Sequence, residues 1–361
     1  MSTLAPLAAR IDTTPRYCTR PGDPVRDRDA VLAIWGDNFG PLAMQPHKYD
    51  HFYRDNPFGP AMLQLLCRQS DGEPVGVIGA GPRPMIWRGQ PIRAAVVAHF
   101  AVLAQHRSLG PALMLQQALV ATARERFDLL YGLPRPSAAG VARRAGFAAL
   151  GKLTRHARVL RHGGYLQRRL PAAVARPAGA LVDMAAQLRD RVADGVRPRL
   201  HWSWSARSDP RMDALWHGSA HAGALTSVRT HRLLQWRFDR PPAGRARFLL
   251  VADDAGRLVA WFACDAHVGP DDPLRVVDYW SAGAMTGIDR PLIRVLVAAA
   301  RAQGRSAIHL LVTTSEAAMA SWRAEGFVAR SAQPLIGLWL NRCLAPDGAA
   351  DLHMSWLDQD G

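Results

Sequence analysis

The chain carries one sequence pattern twice, and this repetition limits the folds open to it more than any other feature. His47–Pro57 reads HKYDHFYRDNP and His231–Pro241 reads HRLLQWRFDRP, with His47/His231, Phe52/Trp236, Asp55/Asp239 and Pro57/Pro241 each 184 residues apart. A helical segment with a tryptophan, Trp35 or Trp216, precedes each copy. Two apolar runs joined by a polar turn follow each: Met62–Arg68 and Pro74–Gly81 around Asp71-Gly72, then Phe248–Ala252 and Leu258–Cys264 around Asp253-Asp254-Ala255-Gly256. Such turns between apolar runs predict hairpins. Farther on, Phe127–Leu133 and Ala307–Val312 predict short buried strands. Each leads into a short helix ending in Arg144-Ala145-Gly146-Phe147 or Ala324-Glu325-Gly326-Phe327, now 180 residues apart. Glycine suits a helix C-cap, and the phenylalanine returns to the core. The expected class is α/β, an α+β mixed sheet built in two similar halves.

Composition narrows the function. The chain has 361 residues, enough for two domains, and its 48% hydrophobic and 21% charged content is that of a globular protein. No apolar run reaches the length of a membrane span, and Met1–Ala9 does not read as a secretory signal. Cys18, Cys67, Cys264 and Cys343 are scattered without a Cys-x-x-Cys pair, so a cytoplasmic protein without a metal or disulfide framework is expected. His217 and His221 are four apart but no third ligand is apparent, and they read as surface histidines. The net charge of +15 invites a polyanionic partner, yet only Lys48 and Lys152 are lysines and the arginines are spread along the chain. That pattern reads as the coding bias of a GC-rich genome, and nucleic acid is not an expected partner.

The most specific stretch is Arg107-Ser108-Leu109-Gly110-Pro111-Ala112, between the apolar run Val96–Val102 and the helical pattern Leu113–Leu119. A strand, a tight turn of small residues and a helix N-terminus together aim backbone N–H groups at phosphate. Gly110 and Ala112 permit close approach, and Pro111 gives up an N–H that the first helical turn can spare. The spacing is neither a Walker loop nor a Rossmann fingerprint. Arg-x-x-Gly-x-Ala, followed by the Gly-Phe element ending at Phe147, resembles the GNAT superfamily of N-acetyltransferases, and the resemblance covers most of residues 25–160. It implies two tandem acyl-CoA N-acyltransferase folds, the second degenerate, because Trp280–Arg290 lacks the loop motif. The expected division is an N-terminal extension (1–24), an acyl-CoA-binding domain (25–162), a helical connector (163–198), the degenerate domain (199–345) and a C-terminal tail (346–361).

The resemblance also implies roles. Phe100, Val102 and Leu103 would pair with the pantetheine arm of acetyl-CoA or another acyl-CoA. Arg107, Ser108, Leu109, Gly110, Pro111, Ala112 and Leu113 would form the pyrophosphate loop, as a co-substrate site that needs no metal. Relatives often place an acidic tyrosine four residues before the glycine of the Gly-Phe element. That place is Ala142 here and Trp322 in the second half. His99, where relatives carry a base, is the candidate catalytic base, since a free imidazole titrates near neutral pH. Tyr131 is the candidate acid. Asp278, a charge within an apolar strand, and its neighbour Tyr279 are candidates for binding the acceptor. The expected reaction is direct acyl transfer, most simply acetyl, to an amine of a small molecule or sugar precursor. The alternatives are a non-catalytic pseudoenzyme that binds a metabolite or protein, and a Fem-type transferase with a bulkier donor.

Overall fold

The computed structural model describes residues 16–163, 171, 174, 177–185, 200–221, 223–240, 246–265 and 272–359. The first half runs β1 (Tyr17–Pro21), α1 (Arg28–Trp35), α2 (Gln45–Tyr53), β2 (Met62–Arg68), β3 (Pro74–Trp87), β4 (Gln90–Val102), α3 (Leu109–Ala123), β5 (Leu129–Gly132), α4 (Pro136–Arg144) and β6 (Ala148–Val159). The second runs β7 (His201–Ser205), α5 (Arg211–His217), β8 (Leu225–Ser227), α6 (His231–Leu234), β9 (Ala246–Ala252), β10 (Leu258–Asp265), β11 (Leu274–Ser281), α7 (Arg290–Ala302), β12 (Ala307–Thr313), α8 (Glu316–Ala324), β13 (Val328–Trp339) and β14 (Leu352–Ser355). From the first helix to the long last strand, the same order of hairpin, strand, helix, strand, helix and strand recurs. The expected strands lie within these elements, and Gly146 and Gly326 take positive φ after the helices they end. The β3–β4 turn, Arg88-Gly89, has φ of 51° and 76°, as a tight two-residue hairpin requires.

All the described strands join one mixed sheet, in the order β1-β2-β3-β4-β5-β13-β6-β12-β11-β10-β9-β7. The two halves therefore do not close as separate sheets. Their last long strands are exchanged. β13 pairs with β5 of the first half, from Gly132↔Ile336 to Leu129↔Trp339. β6 pairs with β12 of the second half, from Val159↔Ala307 to Thr154↔Val312. β6 and β13 also pair with each other. The run Lys152–Arg161 thus sits mid-sheet with Leu153, His156 and Arg158 buried.

Both ends of the chain contribute strands to the sheet. The N-terminal extension supplies β1, which pairs with β2. The C-terminal tail supplies β14, a buried strand that pairs with β12 and β8, and β8 in turn pairs with β3. Of the helical connector, 177–185 is helical, and most of the rest lies outside the described residues.

In the first half the helices cover both faces. Leu115, Leu119 and Val120 of α3 pack with Ile78, Val102 and Leu130 on one face. Val31 and Trp35 of α1 and Tyr49, Phe52 and Tyr53 of α2 pack with Val77, Val96 and Tyr131 on the other. In the second half, α7 buries Leu292, Ile293, Leu296, Val297 and Ala300 against the sheet, the spacing of an amphipathic helix.

Candidate active site

β4 and β5 run parallel only from Ala94↔Leu129 to Val96↔Tyr131. Beyond that point they diverge, and the gap opens into a cavity of about 700 Å³. The volume is of the size that holds a cofactor or small substrate. Val96–Val102 of β4 and Gly132–Arg135 wall the gap. Ser108, Leu109, Ala112 and Gln116 of α3 close one face, and Asn38, Phe39 and Lys48 of the α1–α2 region close the other. The cavity therefore passes through the sheet and meets both helical layers.

At the α3 end, Ser108 is extended (φ −145°, ψ 170°) and its hydroxyl does not cap the helix. The first-turn N–H groups of an α-helix have no intrahelical acceptor, and Ser108, Leu109 and Ala112 bring the start of α3 to the cavity. Gly110 has open space where a Cβ would stand. Arg107 donates from Nε to the Val102 carbonyl at 2.7 Å, which ties the loop to the strand and leaves the guanidinium at the cavity rim. The Leu103 N–H is already donated to Val75 at 2.9 Å. Phe100, Val102, Arg107, Ser108, Leu109 and Ala112 border the cavity, whereas Leu103, Gly110, Pro111 and Leu113 do not.

The other end is built around His99. The β3–β4 register slips between Val77 and Gly79, so β4 bulges at His99-Phe100. His99 takes φ of 57°, a left-handed conformation that costs a non-glycine residue about 1–2 kcal/mol. Its ring is 4% exposed and packs against Trp35, Phe39, Phe52 and Tyr53, at centroid distances from 4.5 to 5.5 Å. Two glycines seat that cage: a Cβ on Gly79 would stand 2.3 Å from the Tyr53 hydroxyl, and one on Gly81 would stand 2.7 Å from the Phe52 ring. Backbone strain and close packing thus hold one imidazole at the cavity wall.

The remaining candidates lie elsewhere. Tyr131 points to the α1–α2 face, is fully buried and donates its hydroxyl to the Asp358 carbonyl at 3.1 Å, so it does not border the cavity. Asp278 is buried in the second half, paired with Arg229 Nε at 3.0 Å and accepting from the Ser355 hydroxyl at 2.7 Å. Burial pushes its carboxyl up to about 6 against the pull of Arg229. Tyr279 packs against Phe262, Trp322 and His353, and burial raises its hydroxyl pKa. The oddity of a charge in an apolar strand is real, but Arg229 and the C-terminal segment account for it.

Those contacts explain a difference between the halves. β11 and β12 also diverge, after Val276↔Leu310. There β14 takes up the free edge of β12, with Val312↔Ser355 and Thr313↔Met354. The chain's own C-terminal strand fills the second gap, while the first is open.

Gln116, Lys48 and Gln359 are cavity residues that the sequence reading did not single out. Gln116 is 4% exposed, and its Oε1 has no hydrogen-bond partner among the described residues. Lys48 Nζ stands 5.9 Å from the Phe39 ring centroid. Gln359 reaches the wall because Asp358, next to it, is held by Tyr131. No described carboxylate borders the cavity. Among the described residues there is no cluster of three His, Cys, Asp or Glu fit for a metal and no helix long and apolar enough to cross a membrane.

No protein-family model matches the sequence, and no curated protein does. Solved structures do match. A GCN5-related N-acetyltransferase from Anabaena variabilis is similar over 91% of this chain and 74% of its own, with 13% identity and a TM-score of 0.63. One from Kribbella flavida is similar over 91% and 73%, with 14% identity and a TM-score of 0.58. Saccharomyces cerevisiae N-myristoyltransferase, solved with bound myristoyl-CoA, is similar over 90% and 79%, with 12% identity and a TM-score of 0.52. The chain has the fold of the GCN5-related N-acetyltransferases.

Proposed function

We propose that the protein is an acyl-CoA-dependent N-acyltransferase built from two copies of this fold, of which only the first holds the donor. The observation that carries this reading is the open β4–β5 gap with the α3 N-terminus at its mouth, set against the β11–β12 gap filled by β14. Backbone N–H groups, the helix dipole and Arg107 suit a pyrophosphate, and the gap suits a pantetheine arm. Gln116 lies eight residues beyond Ser108, about 12 Å along the helix, so a polar group stands deep in the cavity. That favours acetyl or another short acyl group over a long chain.

The acceptor amine would enter from the α1–α2 face and attack the thioester carbonyl. The C–N bond forms, the C–S bond breaks, and the amine's surplus proton passes to His99 and on to the departing thiolate. Tyr131 is not placed to supply that proton, so His99 is the only one of the two proposed acid–base residues that the reading retains. Holding both reactants in one cavity supplies much of the remaining rate. Calorimetric titration with acetyl-CoA and with longer acyl-CoAs tests the reading. One saturable site per chain, tightest for the short donor, is expected. Failure of every acyl-CoA to bind would return the chain to the non-catalytic alternative.

A further inference from the structure

Resting on that reading, we propose that the acceptor is an amine that also bears an anionic group, a carboxylate or a phosphate, held by Lys48 and Gln359 on the α1–α2 face of the cavity. The donor's own phosphates do not call for Lys48. They are served by the α3 N-terminus and Arg107 on the opposite face, whereas Lys48 belongs to α2. Lys48 is half-buried, lies over the Phe39 ring, and pairs with no carboxylate among the described residues. A partly desolvated ammonium without a counter-charge is unfavourable and becomes favourable when a ligand supplies one.

Gln359 adds a second, independent observation. Its Nε2 is buried at the cavity wall and has no acceptor among the described residues. An ammonium and an unmet amide donor together present hydrogen bonds to an oxyanion. Both are on the face where Phe39 also touches His99, at 5.5 Å between centroids, so the anion would lie beside the base that takes the amine's proton. Polyamines are the opposite case. The described wall offers them no carboxylate, and its ionisable residues are Lys48, His99, Arg107 and Arg135. The composition points the same way: in a chain where arginine supplies nearly every basic residue, one of two lysines stands here.

The test compares matched acceptors in the presence of saturating acetyl-CoA. Alanine is set against alaninamide and ethylamine, and glucosamine 6-phosphate against glucosamine. At least a tenfold preference in kcat/KM for one anionic member is expected, and which pair shows it separates carboxylate from phosphate. In Lys48→Met that preference should collapse, and Lys48→Arg should retain most of it. Equal turnover of neutral and anionic partners overturns the proposal.

A second measurement does not depend on turnover. An amine-selective reagent modifies Lys48 and the exposed Lys152, and mass spectrometry reads the two sites separately. N-acetylalanine or N-acetylglucosamine 6-phosphate should slow labelling of Lys48 but not of Lys152. N-acetylalaninamide and N-acetylglucosamine should slow neither. Absence of protection, or equal protection by neutral ligands, also overturns the proposal. Failure of acetyl-CoA to bind, by contrast, would strike the acyltransferase reading while protection at Lys48 still reported an anion site.

Discussion

Gly132 on β5 pairs with Ile336 on β13, so the cavity-bearing half is closed by a strand from the other end of the chain. A Cβ at Gly132 would stand 3.2 Å from the Val97 carbonyl, at the point where β4 and β5 begin to part. The exchange leaves neither half a complete sheet. Without the other half, β5 and β12 would each present an unpaired edge beside apolar surface. A single proteolytic cut between residues 163 and 200 should therefore leave two fragments that co-elute on gel filtration. Residues 16–163 expressed alone should aggregate or remain unfolded. A folded, monomeric fragment would contradict the exchanged pairing.

Gly110→Asp tests the phosphate loop. Open space surrounds the site, and a carboxylate in the first turn of a helix is compatible with the helix dipole, so the thermal midpoint should hold. Beside a pyrophosphate the same charge repels. Acetyl-CoA affinity should fall at least tenfold, about 1.4 kcal/mol. Unchanged affinity by calorimetry would remove the site from α3. The matching position in the second half is no control, because a Cβ on Gly283 would stand 2.8 Å from the Gly287 carbonyl and strain the turn.

His99→Asn separates chemistry from architecture. Asparagine tolerates the positive φ that the bulge imposes, so the strand should keep its shape. Loss of a general base lowers kcat by about 10²–10⁴-fold. Donor affinity should stay within twofold. Full activity in His99→Asn would leave the ring a packing residue of its aromatic cage.

Gln116 offers a trade between stability and binding. A buried amide without a partner costs about 1–3 kcal/mol. Gln116→Leu should therefore raise the denaturation midpoint of the free protein while weakening acyl-CoA binding. A variant that loses stability would show that the amide is already satisfied in the unliganded protein.

The sequence made the local elements readable because each was written in a local signal. The polar turns at Asp71-Gly72 and Asp253–Gly256, the Gly146 and Gly326 caps and the loop at Arg107–Ala112 each depend on nearby residues alone. Strand partners do not. Alternation along Leu153 and Ala157 specifies a strand, but nothing local says that it lies between β12 and β13 rather than beside β5. The tail residues Leu352–Ser355 take their place from the edges of β12 and β8, both far away in sequence. Tyr131 and Asp278 were candidates by residue type and strand position, and both were displaced by contacts with Asp358 or Ser355, more than 70 residues away. Gln116 and Lys48 were missed because a single polar residue on a helix carries no periodic signal.

The C-terminal strand that fills the second gap carries a pH dependence of its own. His353 of β14 is 1% exposed, with Nδ1 at 3.0 Å from the Thr314 hydroxyl and its ring against Tyr279 and Trp280. Burial, with a smaller contribution from the Arg229 charge, holds its pKa well below the ordinary 6.5. Above pH 6.5 the imidazole is neutral folded and unfolded, and the contribution to stability is complete. As the pH falls below 6.5 the unfolded chain takes up a proton that the folded chain refuses, so stability declines. Asp278 works in the opposite direction: its folded pKa of about 6 exceeds the ordinary 3.8, so that carboxyl adds stability as the pH falls from about 6 toward 4. Comparing His353→Gln with the parent cancels the Asp278 slope. Urea midpoints at pH 7.5 and 5.5 should fall less in the variant than in the parent. Equal falls would mean that β14 takes its proton in place, and that acid does not loosen the strand that closes the second gap.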